Sequence, residues 1–265
     1  MTFKGFNLVY PEYDVVTPQT GLSFTVRSMN VQEEERLKGS LINPNRITEH
    51  LNKCIFDLIV KKPASIKDYQ TFLKAITLKD RDALLYGIYH ITYEEIRNYD
   101  IVCSSPQCGK TYAVTINASD TFNIKQYPEK NILGKKIKVD LPISKGVSAF
   151  IRQPTLFDEQ KNIKDLSSRP GSTIEIISET LIIDRFEQEV EDSKENIIYD
   201  ERVDIIDAYL SLKPRDKKII DKKYDDEFGQ YAIELKMKSF CNHCGFEEIV
   251  DIDIASNFFR ALYAR

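Results

Sequence analysis

The 265-residue chain contains no tryptophan and only three histidines, His50, His90 and His243, none of which falls in a metal-binding or nucleophile motif. Its ten glycines are scattered, with neither a Gly-x-Gly-x-x-Gly nor a Walker pattern, so no phosphate-cradling loop is offered. No apolar run approaches the roughly 18 residues of a membrane span. Met1 to Phe6 also lacks the apolar stretch of a signal peptide, which predicts a soluble protein made in cytoplasm. Charge of either sign is nearly balanced, with 37 basic against 41 acidic residues and a net charge of −4, which disfavours a partner as polyanionic as free nucleic acid. What the chain does have is core material: 42% apolar residues, including 14 Tyr and 14 Phe, enough to fold, in a length that favours two units.

The five cysteines are unevenly placed. Cys54 lies in the apolar run Leu51–Phe56 and reads as a small hydrophobe of the core. The other four form two close pairs, Cys103-Ser-Ser-Pro-Gln-Cys108-Gly109 and Cys241-Asn-His-Cys244-Gly245. Each is a tight turn closed by glycine, where a left-handed backbone costs least. Disulfides are rare in cytoplasm, and two turns that each aim two thiolates at one point fit a tetrahedral structural zinc site. A Cys-x-x-Cys turn also serves redox proteins, but there it opens a helix. Here Phe246–Ile254 alternates like a strand, and a redox reading leaves the first pair unexplained. His243 sits inside the second turn and reads as a bystander, because four sulfurs already complete the tetrahedron.

Internal similarity organises the rest. Gly21-Leu-Ser-Phe-Thr-Val-Arg27 recurs as Gly146-Val-Ser-Ala-Phe-Ile-Arg152, and the helix start Asn30–Glu34 recurs as Thr155–Glu159 with a capping-box acid three residues after the cap. Thr77–Asp82 matches Ser211–Asp216, the cysteine pairs match each other, and Ala118–Phe122 matches Ala255–Phe259. The offsets between copies are 125, 125, 134, 136–138 and 137 residues, in unbroken order. Each copy therefore predicts a strand, a short helix, two or three further helices, a strand, a cysteine turn and a strand. In the first copy the helices are expected over 31–38, 46–60, 66–75 and 79–90, with Ile47, Leu51, Ile55, Leu58 and Ile59 on one face. In the second, Ser172 is expected to start a long helix carrying Ile177, Leu181, Ile182 and Phe186. Pro214 is tolerated in a first helical turn.

The predicted architecture is α+β, with a first repeat over residues 1–122, an extended connector with one short strand over 123–145, and a second repeat over 146–265. Two cysteines per repeat cannot close a four-sulfur site alone. The simplest arrangement brings both hairpin turns to one Zn2+ per chain, a zinc ribbon built by Cys103, Cys108, Cys241 and Cys244 on a pseudo-two-fold axis. Two incomplete sites, or one shared between chains, are the competing arrangements. No catalytic constellation accompanies the site. The acidic runs Glu33-Glu34-Glu35 and Asp225-Asp226-Glu227 read as solvated helix starts and loop charges, and the recurring Arg81-Asp82 and Arg215-Asp216 as devices holding a helix start.

These landmarks, with the terminal run Asp251–Arg260, resemble the baseplate hub and hub-assembly proteins of T-even-type contractile-tailed phages, over most of residues 18–124 and 146–265. The first turn departs from the commoner Cys-x-x-Cys spacing by having four intervening residues. The resemblance implies a non-catalytic protein of the virion tail baseplate, assembled in the host cytoplasm. Its partners would be other tail proteins, with no small-molecule substrate, membrane or nucleic acid, and only the four cysteines carry over as site residues. The apolar-aromatic end Phe258–Tyr263 is a candidate partner anchor or a segment packed on its own domain. The alternative reading is a zinc-ribbon regulator of transcription or other nucleic-acid reader, with Lys135, Lys136 and Lys138 as its basic patch. Against it stand Glu247, Glu248, Asp251 and Asp253 beside the second cysteine pair.

Overall fold

The computed structural model describes residues 8–40, 44–93, 97–116, 122–129, 132–167, 169–190 and 195–251. The Ala118–Asp120 and Ala255–Phe259 landmarks and the Phe258–Tyr263 end lie outside the described residues. The chain opens with a hairpin of β1 (Glu12–Val16) and β2 (Ser23–Arg27), followed by α1 (Val31–Ser40) and α2 (Pro44–Asp57). β3 (Ile59–Lys61) then returns to β2 and completes a three-stranded antiparallel sheet. After α3 (Tyr69–Ala75) and α4 (Leu78–Tyr93) come the hairpin β4 (Arg97–Val102) and β5 (Thr111–Ile116), with the first cysteine pair at its turn, and β6 (Phe122–Ile124).

The second half runs through the same order. It comprises β7 (Lys136–Asp140), β8 (Val147–Arg152), α5 (Leu156–Leu166), α6 (Ile174–Thr180), β9 (Ile183–Gln188), an additional β10 (Ile197–Tyr199), α7 (Arg202–Ser211) and α8 (Pro214–Tyr224). A π-helical turn, Asp225–Gly229, extends α8 before the hairpin β11 (Ile233–Phe240) and β12 (Glu247–Asp251) carries the second cysteine pair.

The agreement between halves extends to single bonds. Gly21 and Gly146 adopt φ of 65° and 75° in the hairpin turns, a conformation costly for any residue with a Cβ. The sheet register shifts between Thr25 and Val26 in one half and between Phe150 and Ile151 in the other. Arg27 donates its amide to Leu58 O at 3.0 Å, as Arg152 does to Ile182 O at 2.8 Å. The guanidinium of Arg27 forks onto Glu33 at 2.6 and 3.0 Å, and that of Arg152 reaches Asp158 at 2.8 Å. Both acids close capping boxes: Glu33 with Asn30, Asp158 with Thr155. Burial works against each carboxylate, but its arginine prevails and holds both below the usual range.

Several local expectations fail where a sheet competes with a helix. The helix expected over 46–60 ends at Asp57, and Ile59 belongs to β3, because Ile59-Val60 is β-branched and β2 offers a strand to pair with. α3 begins at Tyr69 rather than 66, capped by Asp68 with Thr71. In the second half Thr173, not Ser172, caps α6, which ends at Thr180; Ile183 and Phe186 lie in β9. Apolar residues four apart suit a helix face, but pairing with β8 decides this segment.

The structure also corrects the register between halves by two residues. α4 starts at Leu78 and α8 at Pro214, so the counterpart of Asp216 is Asp80, not Asp82. Each is fully buried at the third helical position and grips the turn of its hairpin. Asp80 accepts from Gln19 N at 2.8 Å and Thr20 Oγ1 at 2.7 Å, Asp216 from Ile143 N at 3.1 Å and Ser144 N at 2.9 Å. The shared device is thus a buried aspartate rather than an Arg-Asp pair. With this register the offset is about 125 as far as β3 and β9 and 136 from α4 and α8 onward, so the difference resides in the β9–β10 extension.

Two main cores lie under the sheet β1-β2-β3 of the first half and the four-stranded antiparallel sheet β10-β9-β8-β7 of the second. One gathers Phe24, Val26, Ile55, Phe72 and Leu84, with Cys54 among them as expected; the other gathers Ala149, Ile151, Phe186, Ile205, Ile220 and Phe228. The halves interlock directly. Leu156 of α5, fully buried, belongs to the first core and donates its amide to Ile76 O at 2.9 Å, and Arg81 meets Glu159 at 2.5 Å. β6 pairs with β11, and Gln19 Nε2 donates to Phe228 O at 3.0 Å.

Leu156→Ala removes a buried side chain from that joint and is expected to cost about 2–5 kcal/mol. Asp216→Ala orphans two amides and is expected to cost about 1–3 kcal/mol. Urea unfolding of the variants measures both; loss of less than half a kcal/mol in either, by the same scale, contradicts its role. Because Glu33 and Asp158 titrate below their unfolded values, their contribution is present above the ordinary carboxylate range. It drains away as pH falls through their lowered folded values, so acid unfolding should shift to higher pH in Arg152→Met.

Candidate metal centre

Each cysteine pair sits where a hairpin turns, and backbone bonds shape both turns alike. Cys103 N donates to Lys110 O at 3.0 Å and Cys241 N to Phe246 O at 2.9 Å, closing the ladders of β4–β5 and β11–β12 around the turns. Gly109 and Gly245 follow the second cysteine with φ of 58° and 72°, and their amides fold back to Ser105 O and Cys241 O. Helix α4 supports the junction from below, with Tyr86 packing into one cluster with Cys103, Tyr112, Val114 and Cys241.

The two turns face each other. All four sulfurs lie within 4.8 Å of one another, with Cys103 Sγ 3.7 Å from Cys244 Sγ and Cys108 Sγ 3.9 Å from Cys241 Sγ. A tetrahedron with metal–sulfur arms of about 2.3 Å has edges of about 3.8 Å. A disulfide needs about 2.05 Å, and all four thiols are free. The donor set and spacing therefore fit a tetrahedral ion. Cys103 and Cys241 are buried, Cys108 is half-buried and Cys244 is exposed, so the site opens to solvent on one side.

Protonated, the sulfurs are unequal. Burial, reinforced by the neighbouring thiols, pushes Cys103 up to about 12. Burial also opposes the Cys241 thiolate, yet the amides of His243 and Cys244 and the thiols of Cys244 and Cys103 outweigh it and bring Cys241 down to about 7. A metal ion entering such a cluster finds one thiolate readily formed and displaces protons from the others.

Contacts other than sulfur join the turns as well. The Glu248 carboxylate accepts from Ser104 N at 3.2 Å and from the Tyr112 hydroxyl at 2.9 Å, crossing from β12 to the first hairpin. The Ser104 side chain first, then the Tyr112 hydroxyl and the Ser104 amide, outweigh burial and hold Glu248 below the usual range. His243 Nε2 lies 3.1 Å from Thr111 O, so its ring is engaged across the turns rather than among the sulfurs. Sequence reasoning took Glu248 only as part of an acidic surface. No local pattern marks it, because its partners are more than 130 residues away.

The remaining charged candidates are accounted for by local partners. Lys135 pairs with Glu227 at 3.1 Å, Lys136 with Asp184 at 2.8 Å and Lys138 with Asp140 at 3.3 Å. In the first acidic run Glu33 holds Arg27, and Glu35 meets Lys38 at 3.0 Å. Glu34 is buried, not solvated as expected, and accepts from the Tyr93 hydroxyl at 3.2 Å. Glu248→Ala should lower the melting temperature of the chain both with and without a chelator, since its bonds do not pass through metal. An effect confined to the metal-loaded protein would assign Glu248 to the metal instead.

No helix among the described residues is long and apolar enough to cross a membrane. Neither a curated protein nor a solved structure gives a significant match to the chain. The family model of the T4 bacteriophage base plate protein matches residues 10–260, a span that takes in both halves and both cysteine turns. With that much of its length matched, the chain belongs to the T4 bacteriophage base plate protein family.

Proposed function

We propose that this chain is a non-catalytic structural or assembly protein of the phage tail baseplate hub, acting by docking onto other tail proteins and stabilised by one structural Zn2+ per chain. The observation that carries the reading is the convergence of Cys103, Cys108, Cys241 and Cys244, two from each half, at distances that suit a tetrahedral ion. The ligands would be those four thiolates, and the ion would supply a cross-link between segments about 138 residues apart in sequence. Structural zinc contributes on the order of 10–16 kcal/mol of apparent binding free energy, which becomes folding free energy where the unfolded chain has no site.

In this reading the halves are tandem homologous repeats, 1–122 and 146–265, with 123–145 between them; β7, through its pairing with β8, joins the second repeat's sheet. The shared bulge, the Arg-to-acid fork and the buried aspartate support common descent, since packing alone does not demand the same solution twice. The non-catalytic assignment rests on family membership and on acids and lysines already engaged in caps and ion pairs. Those same pairs weaken the nucleic-acid alternative, because Lys135, Lys136 and Lys138 face carboxylates.

Metal analysis of the purified chain should find one zinc per monomer, and Cys103→Ser and Cys241→Ser should each lose it with a large drop in melting temperature. Two zinc ions per monomer, or metal only in dimers, rules out the intrachain site. For the biological role, phage carrying either variant should accumulate incomplete tails. Normal tails, or salt-sensitive binding of mixed-sequence DNA by the wild-type chain, would count against the docking role.

A further inference from the structure

The β9–β10 extension has no counterpart in the first half, and it builds a surface the first half lacks. β10 lies at the edge of the sheet β10-β9-β8-β7, and among the described residues no strand pairs with its outer side. Ile197 and Ile198 on it are 46% and 54% exposed. Between the face of this sheet and α7 lies a cavity of about 390 Å³, lined by Val147, Phe186, Ala208 and Leu212, which reaches the edge at Tyr199 of β10 and has Asp204 on its wall. That is room for one or two apolar side chains.

Charge is concentrated at the same place. Across the described residues 187–190 and 195–207 there are seven acids and one base. The base, Arg202, turns inward, its guanidinium donating to Ile183 O and Thr180 O, each at 3.0 Å. These residues carry more negative charge than the −4 of the whole chain, so the remainder of the protein is net positive. Asp207 is answered by Arg169 and Glu187 by Arg185, and Glu195 also has a partner, so Glu189, Asp200, Glu201 and Asp204 carry the acidic field of the segment. An acidic edge repels another copy of itself and attracts a cationic strand.

We propose that this groove receives an extended, basic segment of a partner protein, added as a strand along β10, with an apolar side chain in the cavity and lysines or arginines over Asp204 and its acidic neighbours. Backbone bonds along the edge supply register, the cavity selects every second side chain, and the acids select charge. The inference takes from the proposed function only that the partner is a protein; the surface itself stands on geometry and charge.

The test titrates the full chain, isotope-labelled for NMR, with a short peptide alternating lysine and valine, and with its glutamate-valine counterpart. The lysine peptide should shift the amides of Ile197–Tyr199 and weaken as salt rises, and the glutamate peptide should not bind. Asp204→Lys should weaken the lysine peptide by about tenfold or more at unchanged melting temperature; if that variant is unstable, Ile198→Glu on the exposed edge should do the same. Equal binding of both peptides, no binding of the lysine peptide, shifts confined to another surface, or full affinity in both variants overturns the proposal. A chain that binds the peptide yet plays no part in tails would instead refute the baseplate role.

Discussion

The meeting of four sulfurs from two distant turns is the constraint on which the rest of the structure depends. Neither hairpin has a substantial core of its own. Among the described residues the first hairpin buries Cys103, Tyr112 and Val114 and the second Cys241 and Ser239, and the small cluster they share is closed only when Tyr86, Tyr112, Cys103 and Cys241 come together. Bringing four sulfurs within 4.8 Å without a cation is unfavourable once a second of them ionises, because neighbouring thiols support one thiolate, as they do at Cys241, whereas two thiolates repel. A divalent ion converts that liability into a cross-link. Glu248 and His243 bridge the two turns as well, so that an ion would meet a donor set already arranged.

Around this junction the two halves are built alike but joined unlike. The sheets, the bulges and the buried aspartates Asp80 and Asp216 correspond position by position. The joint between halves does not. Leu156 at the start of α5 is fully buried in the first core, whereas its counterpart Val31 at the start of α1 is 66% exposed. The halves therefore contact head to tail through their helices while meeting turn to turn through their sulfurs. Such an arrangement ties the halves together at two separate places, which suits the docking role proposed above.

How much of this was legible in the sequence depended on the range of the interaction. The cysteine turns, the two capping boxes and the Gly-led strands were readable because each is set by residues within a few positions. The Asn30–Glu33 and Thr155–Asp158 boxes form as their spacing implies. Ile59 and Phe186 were misplaced because apolar spacing alone does not distinguish a helix face from a strand whose partner lies elsewhere in the chain. The Arg81–Glu159 bridge and the Glu248 contacts were invisible for the same reason: nothing near either residue in sequence announces its partner. The buried aspartates lay in between, seen as a recurring motif but aligned two residues out, since the intervening β10 extension had no signal apart from its acidity.

The most direct measurement is zinc-edge X-ray absorption on the full-length chain as purified. The account predicts one shell of four sulfurs at about 2.3 Å. A shell containing nitrogen or oxygen neighbours, or fewer than four sulfurs per zinc, would contradict a single ion held by both halves of the molecule.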